Sequence, residues 1–440
     1  MSGSSIRNRL RSGLTFNFIA TAFNRGSTFL INVILANLLG RFVFGEYSMV
    51  QATLTPLGLM SQLATGYTAT KYVAEHRSMD KLRTGRILGL LSTVSAIGAG
   101  LVGIGLFILA PWIAGHALKA PQLAPTLRLG SGVVLFAALC VYQIGALAGL
   151  EGYRCLAKAG IGSGILYLLL CSALASQWGL DGAIAGLLLS AISQWLIQRH
   201  YLRIEQRKHG ILTRYDGMGT ERDVIFRFAM PAAAAGLYTT PAIWMANTLL
   251  VRQPGGYVQM ALYSAGYTIR ILVMFVPNIV NTVGLSILNH TKGVGTSSQY
   301  KRTLGVNVAL MGGAALIAAI TTTAFGKVIL HAFGKDFSDA YPVMVLLVTA
   351  AILESITLGL YQHVQAQGRM WLSLFAIVIP RETTLVIGSY LLTPGYGARG
   401  LATAYLVASG VGLACTTITS ARLNHSLRAQ ANLGTSRETG

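Results

Sequence analysis

Long apolar segments recur along almost the whole chain, and short polar segments separate them. About twelve of these segments approach the roughly 20 residues that an α-helix needs to cross a bilayer. Their predicted bounds are 14–39, 43–66, 87–112, 129–150, 160–177, 182–198, 228–250, 258–287, 304–325, 341–361, 371–392 and 400–420. Barrel strands alternate apolar and polar residues by twos, and these segments do not. The pattern therefore predicts an all-α polytopic membrane protein.

The composition excludes a soluble fold. Hydrophobic residues make up 53% of the 440 residues and charged residues only 11%, with a mean hydropathy of +0.57, whereas soluble chains carry about 25% charged residues. Four cysteines without CxxC spacing are interpreted as packing residues, not as disulfides or metal ligands: Cys140, Cys155, Cys171 and Cys415. Because GxxxxGKS/T, HExxH and GxSxG motifs are absent from the sequence, neither an enzyme nor a cofactor is predicted.

The net charge of +20 comes from 34 Lys and Arg residues against 14 Asp and Glu residues. Most of the basic residues lie in loops on the side of the predicted spans that holds the N-terminus. By the positive-inside rule, this asymmetry predicts a multi-pass membrane protein with both termini in the cytoplasm. Loop arginines beside an anionic leaflet account for the charge, so nucleic acid is not predicted as a partner.

Several motifs occur twice, in the same order and at a nearly constant offset, which indicates an internal duplication. Ala36-Asn37, Tyr47-Ser48, His116-Ala117, Gly152 and Gly179 with Gly182 match Ala246-Asn247, Tyr263-Ser264, His331-Ala332, Gly368 and Gly397 with Gly400. Repeats of this kind are typical of transporters made of two bundles. The predicted domains are a cytoplasmic N-terminal segment (1–13), two six-helix bundles (14–198 and 228–420), a cytoplasmic linker (199–227) and a disordered tail (421–440).

Polar residues form stripes at helical spacing on three of the spans. The first span carries Asn17, Thr21, Asn24, Thr28 and Asn32; the second carries Ser48, Gln51, Thr55, Gln62 and Thr65; the eighth carries Tyr263, Tyr267, Arg270, Asn278 and Asn281. Polar residues at membrane depth usually mark pathways, so these stripes predict a shared hydrated cavity that binds substrate. The alternative is that they form hydrogen bonds between helices.

Two arginines, Arg25 and Arg270, lie near the predicted midplane in different halves, and neither has an acid within one helical turn. A central arginine costs at least about 2.5 kcal/mol to insert. Because a guanidinium matches phosphate geometry, the pair predicts a site for a diphosphate or another anionic headgroup. The alternative is that each arginine snorkels to the surface or caps backbone carbonyls at a helix break.

A second set of charges lies on two consecutive spans near the C-terminus: Glu354, Arg381 and Glu382. The predicted depths of Glu354 and Arg381 differ by about 5 Å, a distance that two long side chains can close. An internal ion pair is the favoured interpretation. A site that couples transport to H⁺ or Na⁺ at Glu354 is the alternative, since membrane carboxylates are default functional candidates.

Glycine and aromatic motifs at the ends of the spans resemble those of a known family. They read LGRFVFGEY (39–47), GYTATKYVAE (66–75), FGKDF (333–337), AQGR (366–369) and GARG (397–400). In order and spacing they are similar to the polysaccharide transporter (O-antigen flippase) family of the multidrug/oligosaccharidyl-lipid/polysaccharide (MOP) exporter superfamily. The resemblance covers most of the chain.

This resemblance implies about 12 transmembrane helices in two pseudo-symmetric six-helix bundles. It also implies a flippase that moves an undecaprenyl-diphosphate-linked oligosaccharide, an O-antigen or exopolysaccharide repeat unit, by alternating access. Polysaccharide polymerase and chain-length proteins are implied as partners, besides membrane lipid. The competing hypotheses are a lipid II-type peptidoglycan precursor flippase, which usually has fourteen spans, a multidrug/cation antiporter, which favours acidic residues in its cavity, and a polysaccharide polymerase or ligase, which usually has a large outer loop.

Overall fold

The computed structural model of the protein describes residues 3–221, 230–281, 284, 288, 297–367 and 370–438. Side chains are described for residues 22–221, 238–281, 284, 288, 299–365, 367 and 371–423. The chain divides into two compact units, Met1–Trp244 (unit 1) and Met245–Gly440 (unit 2). Regular structure in the described ranges is helical, as predicted.

Unit 1 is assembled mainly from five helices within its described residues. They are α1 (Gly3–Ser61), α2 (Thr65–His76), α3 (Lys81–Trp112), α4 (Ala124–Gly149) and α5 (Tyr153–His209). A π-helical turn at Ile113–Ala117 extends α3, and 3-10 turns lie at Pro121–Leu123 and Met218–Glu221. Fully buried apolar side chains on α2, α3 and α4, among them Val73, Leu88 and Ala146, form a core.

Unit 2 begins inside α6 (Met230–Val251), which contains the boundary between the units. The helices that follow are α7 (Gly256–Val273), α8 (Phe275–Asn281), α9 (Ser297–Ala324), α10 (Gly326–Ala332), α11 (Tyr341–Ala366), α12 (Met370–Ser373) and α13 (Ile379–Glu438). A 3-10 segment, Lys335–Ala340, precedes α11, and a π-helical turn, Leu374–Val378, joins α12 to α13.

Seven helices in the described part of the chain are long and apolar enough to cross a membrane. Three of these stretches, Ala22–His76, Tyr153–His209 and Trp371–Leu423, have 53 to 57 residues, which exceeds twice the length of one span. Each is interrupted at a glycine: Gly40, Gly179 or Gly397. α6 and the pair α7 and α8, which is bent by 43°, add two further helical stretches, so the described helices agree with about twelve spans.

The two halves share a rare backbone conformation at equivalent positions of the repeat. Gly179 has φ 56° and ψ −128°, and Gly397 has φ 53° and ψ −129°. Only glycine adopts such angles without strain. Three residues later, Gly182 and Gly400 lie so close to the preceding helix that a Cβ atom would be 2.0 Å and 2.3 Å from its carbonyl oxygens. The matching conformation and the matching close approach support an internal duplication.

The ends of the chain are more helical than the sequence analysis predicted. The tail 421–440 was expected to be disordered, but α13 continues to Glu438. The predicted N-terminal segment 1–13 likewise belongs to α1, which begins at Gly3. The tail contains many good helix formers, such as Arg, Leu, Ala and Gln, and neither stretch contains proline, so polarity alone does not end these helices.

The predicted linker 199–227 overlaps the end of a helix and does not coincide with the division between the units. Its first third is helical, because α5 runs on to His209 and ends where Gly210 adopts a left-handed cap with φ 64°. The division between the two units follows Trp244, inside α6, and does not fall in the linker. Residues 222–229 of the predicted linker lie outside the described residues.

Candidate functional site

A cluster of charged side chains lies inside unit 2, where α7, α11 and α13 meet. Glu354 on α11 is its centre, and it accepts hydrogen bonds from three donors. Arg270 on α7 donates through Nη2, Arg381 on α13 donates through Nη2 at 2.6 Å, and the Tyr405 hydroxyl donates at 2.7 Å. One carboxylate therefore holds two guanidinium groups that come from different helices.

A second carboxylate completes the cluster. Glu382 is 1% exposed, and its Oε1 accepts a hydrogen bond from Arg381 Nη1 at 2.9 Å. Two guanidinium groups are thus paired with two carboxylates. Pairing of this kind is what allows charges to remain inside a bundle, since an unpaired buried ion costs several kcal/mol.

Two aromatic rings flank the Arg270 guanidinium and further reduce its access to a ligand. Its carbon lies 5.0 Å from the ring centroid of Tyr267 and 4.9 Å from that of Tyr405, within the range of cation–π attraction. Tyr263 stacks on Tyr267 with centroids 5.9 Å apart. Arg270 is consequently only 8% exposed.

The ion pair predicted between Glu354 and Arg381 is present in the structure. The expectation that Arg270 presents a free charge to an anionic cargo does not fit this geometry, because Glu354 neutralises it from a neighbouring helix. The predicted depths are compatible with this contact, although they do not show which helices are neighbours. Arg270 lies about 14 Å from one surface and Glu354 about 10 Å from the other, so in a core of about 30 Å they differ by only about 6 Å.

Unit 2 contains a second polar group that the sequence analysis missed. Gln362 on α11 is fully buried, accepts a hydrogen bond from Asn307 Nδ2 at 3.3 Å and donates one to Asn281 Oδ1 at 2.9 Å. One residue further along α11, His363 Nδ1 lies 2.9 Å from the Tyr300 hydroxyl. These contacts link α8, α9 and α11, and of their residues only Asn281 belonged to a predicted stripe.

In unit 1, the polar stripe of the first span retains an exposed arginine. Arg25 and Asn24 are exposed, and no carboxylate among the described residues pairs with Arg25. Thr28 donates a hydrogen bond to the Asn24 carbonyl oxygen at 2.9 Å, and Asn32 donates to the Thr28 carbonyl oxygen at 2.8 Å. The side chains of the other two stripe residues, Asn17 and Thr21, lie outside the described residues.

Stripe residues of the second span and Asn278 form hydrogen bonds within their own segments, whereas Asn281 binds Gln362 on α11. Gln51 Nε2 donates to the Tyr47 hydroxyl at 2.8 Å, and the exposed Thr55 donates to the Gln51 carbonyl oxygen at 2.8 Å. Gln62 is half-buried, and the exposed Asn278 donates to the Met274 carbonyl oxygen at 2.7 Å. Such bonds satisfy a polar side chain without joining helices, so the interhelical alternative does not describe these bonds.

The charged cluster consists of guanidinium, carboxylate and tyrosine groups that bind one another. Among the residues that the structure describes, no set of three or more His, Cys, Asp or Glu side chains could hold a metal ion. Its tyrosine and arginine donors are directed at the carboxylates. The arrangement can therefore hold α7, α11 and α13 together.

Comparison with known proteins gives a consistent result. A family model described as polysaccharide biosynthesis protein matches residues 10–286. The EPS I polysaccharide export inner membrane protein EpsE of Ralstonia nicotianae is 25% identical over 391 residues, which are 87% of each chain. The protein of the same name from Ralstonia solanacearum is 23% identical over 390 residues, again 87% of each chain.

Solved structures share the fold. The lipid II flippase MurJ in an inward closed conformation has a TM-score of 0.72 at 15% identity, covering 92% of this chain and 87% of its own. An inward-facing multidrug resistance MATE family transporter of the MOP superfamily has a TM-score of 0.67 at 14% identity, covering 92% of this chain and 98% of its own. At these identities, the likeness shows a MOP-type fold of about 12 helices and says nothing about the cargo.

Proposed function

Because the chain belongs to the polysaccharide biosynthesis protein family, we propose that it flips an oligosaccharide linked to undecaprenyl diphosphate across the inner membrane by alternating access. The cargo would be an O-antigen or exopolysaccharide repeat unit. Polysaccharide export by the EpsE relatives supports this class of cargo. Polysaccharide polymerase and chain-length proteins would act on the exported unit.

The observation that carries the proposal is the environment of Arg25. It is an exposed guanidinium on a helix long and apolar enough to span a membrane, with no acidic partner in the described part of the chain. Inserting such a charge is unfavourable unless a ligand or water compensates it. A guanidinium can bind a diphosphate through two parallel hydrogen bonds, and the neighbouring exposed Asn24 can bind a sugar hydroxyl or a phosphate oxygen.

The charges of unit 2 argue against a cation as cargo. Glu354 on α11 and Glu382 on α13 are both bound to arginine. A cation antiporter needs a carboxylate that its substrate can reach, and here a cation would have to displace a guanidinium. An anionic cargo, whether a polysaccharide precursor or lipid II, agrees better with this distribution.

The hydrogen bonds of Glu354 also determine whether it can bind a coupling ion. Three donors already occupy Glu354, so an H⁺ or Na⁺ ion would have to displace one of them to bind there. We therefore propose that Glu354 is the structural counter-ion of two arginines. If transport by Glu354→Gln responds to an imposed H⁺ or Na⁺ gradient as the wild type does, this role is supported; a lost response would identify Glu354 as the coupling site.

Transport in proteoliposomes tests the proposed cargo. We expect Arg25→Ala to reduce flipping of the lipid-linked oligosaccharide at least about tenfold, since a charged hydrogen-bond pair contributes about 1.5–3 kcal/mol, and Arg25→Lys to retain part of the activity. The matched control is Arg302→Ala, which removes an exposed arginine from α9. Normal flipping by Arg25→Ala would refute the role of Arg25, and faster flipping of lipid II than of the oligosaccharide would favour the alternative cargo.

A further inference from the structure

Unit 1 contains a cavity that the transport proposal does not use. It has a volume of about 750 Å³ and lies between α3, α4, the C-terminal part of α5 and the segment 212–215. This volume is within the range of typical ligand sites, about 300–1,000 Å³. The cavity is at the end of unit 1 where basic residues accumulate.

A row of basic side chains forms one wall of this cavity. Arg199, Arg203 and Arg207 line it from successive turns of α5, and Trp195 continues the row by one more turn. A spacing of four places all of these side chains on one helix face. The Arg199 guanidinium carbon lies 5.0 Å from the Trp195 ring centroid, and this cation–π contact restrains the Arg199 side chain.

These three arginines are uncompensated within the described part of the chain. No described carboxylate pairs with Arg199, Arg203 or Arg207. Glu205 lies between them in the sequence, but its carboxylate is 3.3 Å from Lys208 Nζ and does not line the cavity. Three positive charges therefore line a preformed space, and no carboxylate among the described residues serves as their counter-ion.

The segment that forms another wall is held firmly on α3. The Arg214 backbone N–H donates to the Gly85 carbonyl oxygen at 2.9 Å, and Arg83 pairs with Glu221 at 3.1 Å. The contact is close enough that a Cβ atom at Gly89 would lie 2.0 Å from the Arg214 carbonyl oxygen. The cavity is thus part of the folded unit and not a gap between loosely packed parts.

The cavity is lined by both charged and apolar side chains. Ala96 and Ile97 of α3 and Leu139 of α4 face the cavity opposite the arginines, and Ile97 is more than half exposed. Both helices are apolar enough to lie in a membrane. A ligand with a negative head and an apolar body would match both surfaces.

We propose that the arginine row of this cavity binds a phosphate group, the chemistry shared by anionic phospholipid headgroups and soluble phosphates. The apolar wall favours a lipid such as phosphatidylglycerol. Basic pockets between membrane helices on the basic side of a membrane bind such headgroups in general. This site lies wholly within unit 1, and its occupation does not depend on which oligosaccharide is transported.

The test measures binding of a fluorescent short-chain phosphatidylglycerol to the full-length protein in detergent. The test variant combines Arg199→Gln, Arg203→Gln and Arg207→Gln. The control variant combines Lys301→Gln, Arg302→Gln and Arg422→Gln, three exposed basic residues outside the cavity. We expect about a fivefold loss of affinity for each cavity arginine removed, from about 1 kcal/mol per charge, and little change in the control. The three single variants serve if the triple variant does not fold.

Wild-type affinity of the cavity variants, or an equal loss in the control, would overturn the proposal. A parallel titration with inorganic phosphate separates the two sources. If phosphate displaces the fluorescent lipid at low millimolar concentration and its own affinity falls in the cavity variant, the site is supported and a soluble phosphate is its ligand. If phosphate does not displace the lipid, the headgroup is the ligand. Because no transport is measured, a failure here leaves the proposed cargo untouched.

Discussion

Arg25 in unit 1 and Arg270 in unit 2 come from similar sequence patterns but lie in opposite environments. Arg25 is exposed and has no acidic partner among the described residues, whereas Arg270 is 8% exposed, shares Glu354 with a second arginine and is flanked by two tyrosines. This comparison shows that the depth of an arginine in the membrane does not determine its role. The decisive feature is whether a neighbouring helix supplies a counter-ion.

The cavity arginines of unit 1 extend this contrast. They lack carboxylate partners in the described part of the chain, while Arg381 of unit 2 contacts two carboxylates. Compensated charges hold helices together, and uncompensated charges require a ligand or solvent. We therefore expect substitutions in the unit 2 cluster to act on stability, and those at the arginines of unit 1 to act on binding and transport.

The largest effect on stability is expected for Glu354→Ala. Loss of the shared carboxylate leaves two buried guanidinium groups short of a partner, which should cost about 3–5 kcal/mol of unfolding free energy. Thermal unfolding in detergent micelles measures the loss, with the exposed Glu75→Ala as control. An unfolding temperature equal to that of the wild type would mean that the cluster is not a structural unit, and the contrast between the two units would fail.

A smaller loss is expected for Arg270→Ala, because Glu354 keeps Arg381 and Tyr405 as donors. We expect about 1–3 kcal/mol, the cost of an unmade bond to a charged group. A double-mutant cycle with Glu354→Ala should give a coupling free energy of about 0.5–3 kcal/mol. Additive effects would show that the two side chains do not interact.

The rigidity of the unit 1 cavity can be tested at Gly89. An added methyl group would meet the Arg214 carbonyl oxygen, so Gly89→Ala should destabilise the protein by about 1–3 kcal/mol and loosen the segment after α5. Gly100 on the same helix has open space around it, and Gly100→Ala should instead stabilise by about 0.4–1 kcal/mol. Protease cleavage within 210–217 reports the loosening. Equal behaviour of the two variants would show that the segment is not held on α3.

The smallest effect on stability is expected for Arg25→Ala. Since its side chain is exposed and unpaired within the described residues, the unfolding free energy should change by less than about 0.5 kcal/mol, while flipping falls. The unfolding midpoint and the flipping rate are measured on the same preparation. A destabilisation as large as that of Arg270→Ala would remove the distinction between the two arginines.

The spans and the duplication were predictable from the sequence because they rest on local patterns. Apolar length fixes a span, and the repeated glycines at 179 and 397 mark the same break in both halves. The contact between Arg270 and Glu354 joins residues 84 positions apart, and a periodic pattern contains no information on which helices are neighbours. The helical tail was missed because polarity was taken as a sign of disorder, although its residues favour a helix.

The breaks at Gly179 and Gly397 have a consequence for biogenesis. In α5, the two arms beside the break pack so closely that a Cβ atom at Gly186 would lie 2.6 Å from the backbone of Cys171, and in α13 one at Gly388 would meet Ala404 at 3.0 Å. Each pair of arms is a helical hairpin whose turn contains almost no polar loop. The insertion machinery therefore has little hydrophilic chain to carry across the bilayer at these points, and each hairpin can enter the lipid as a single unit.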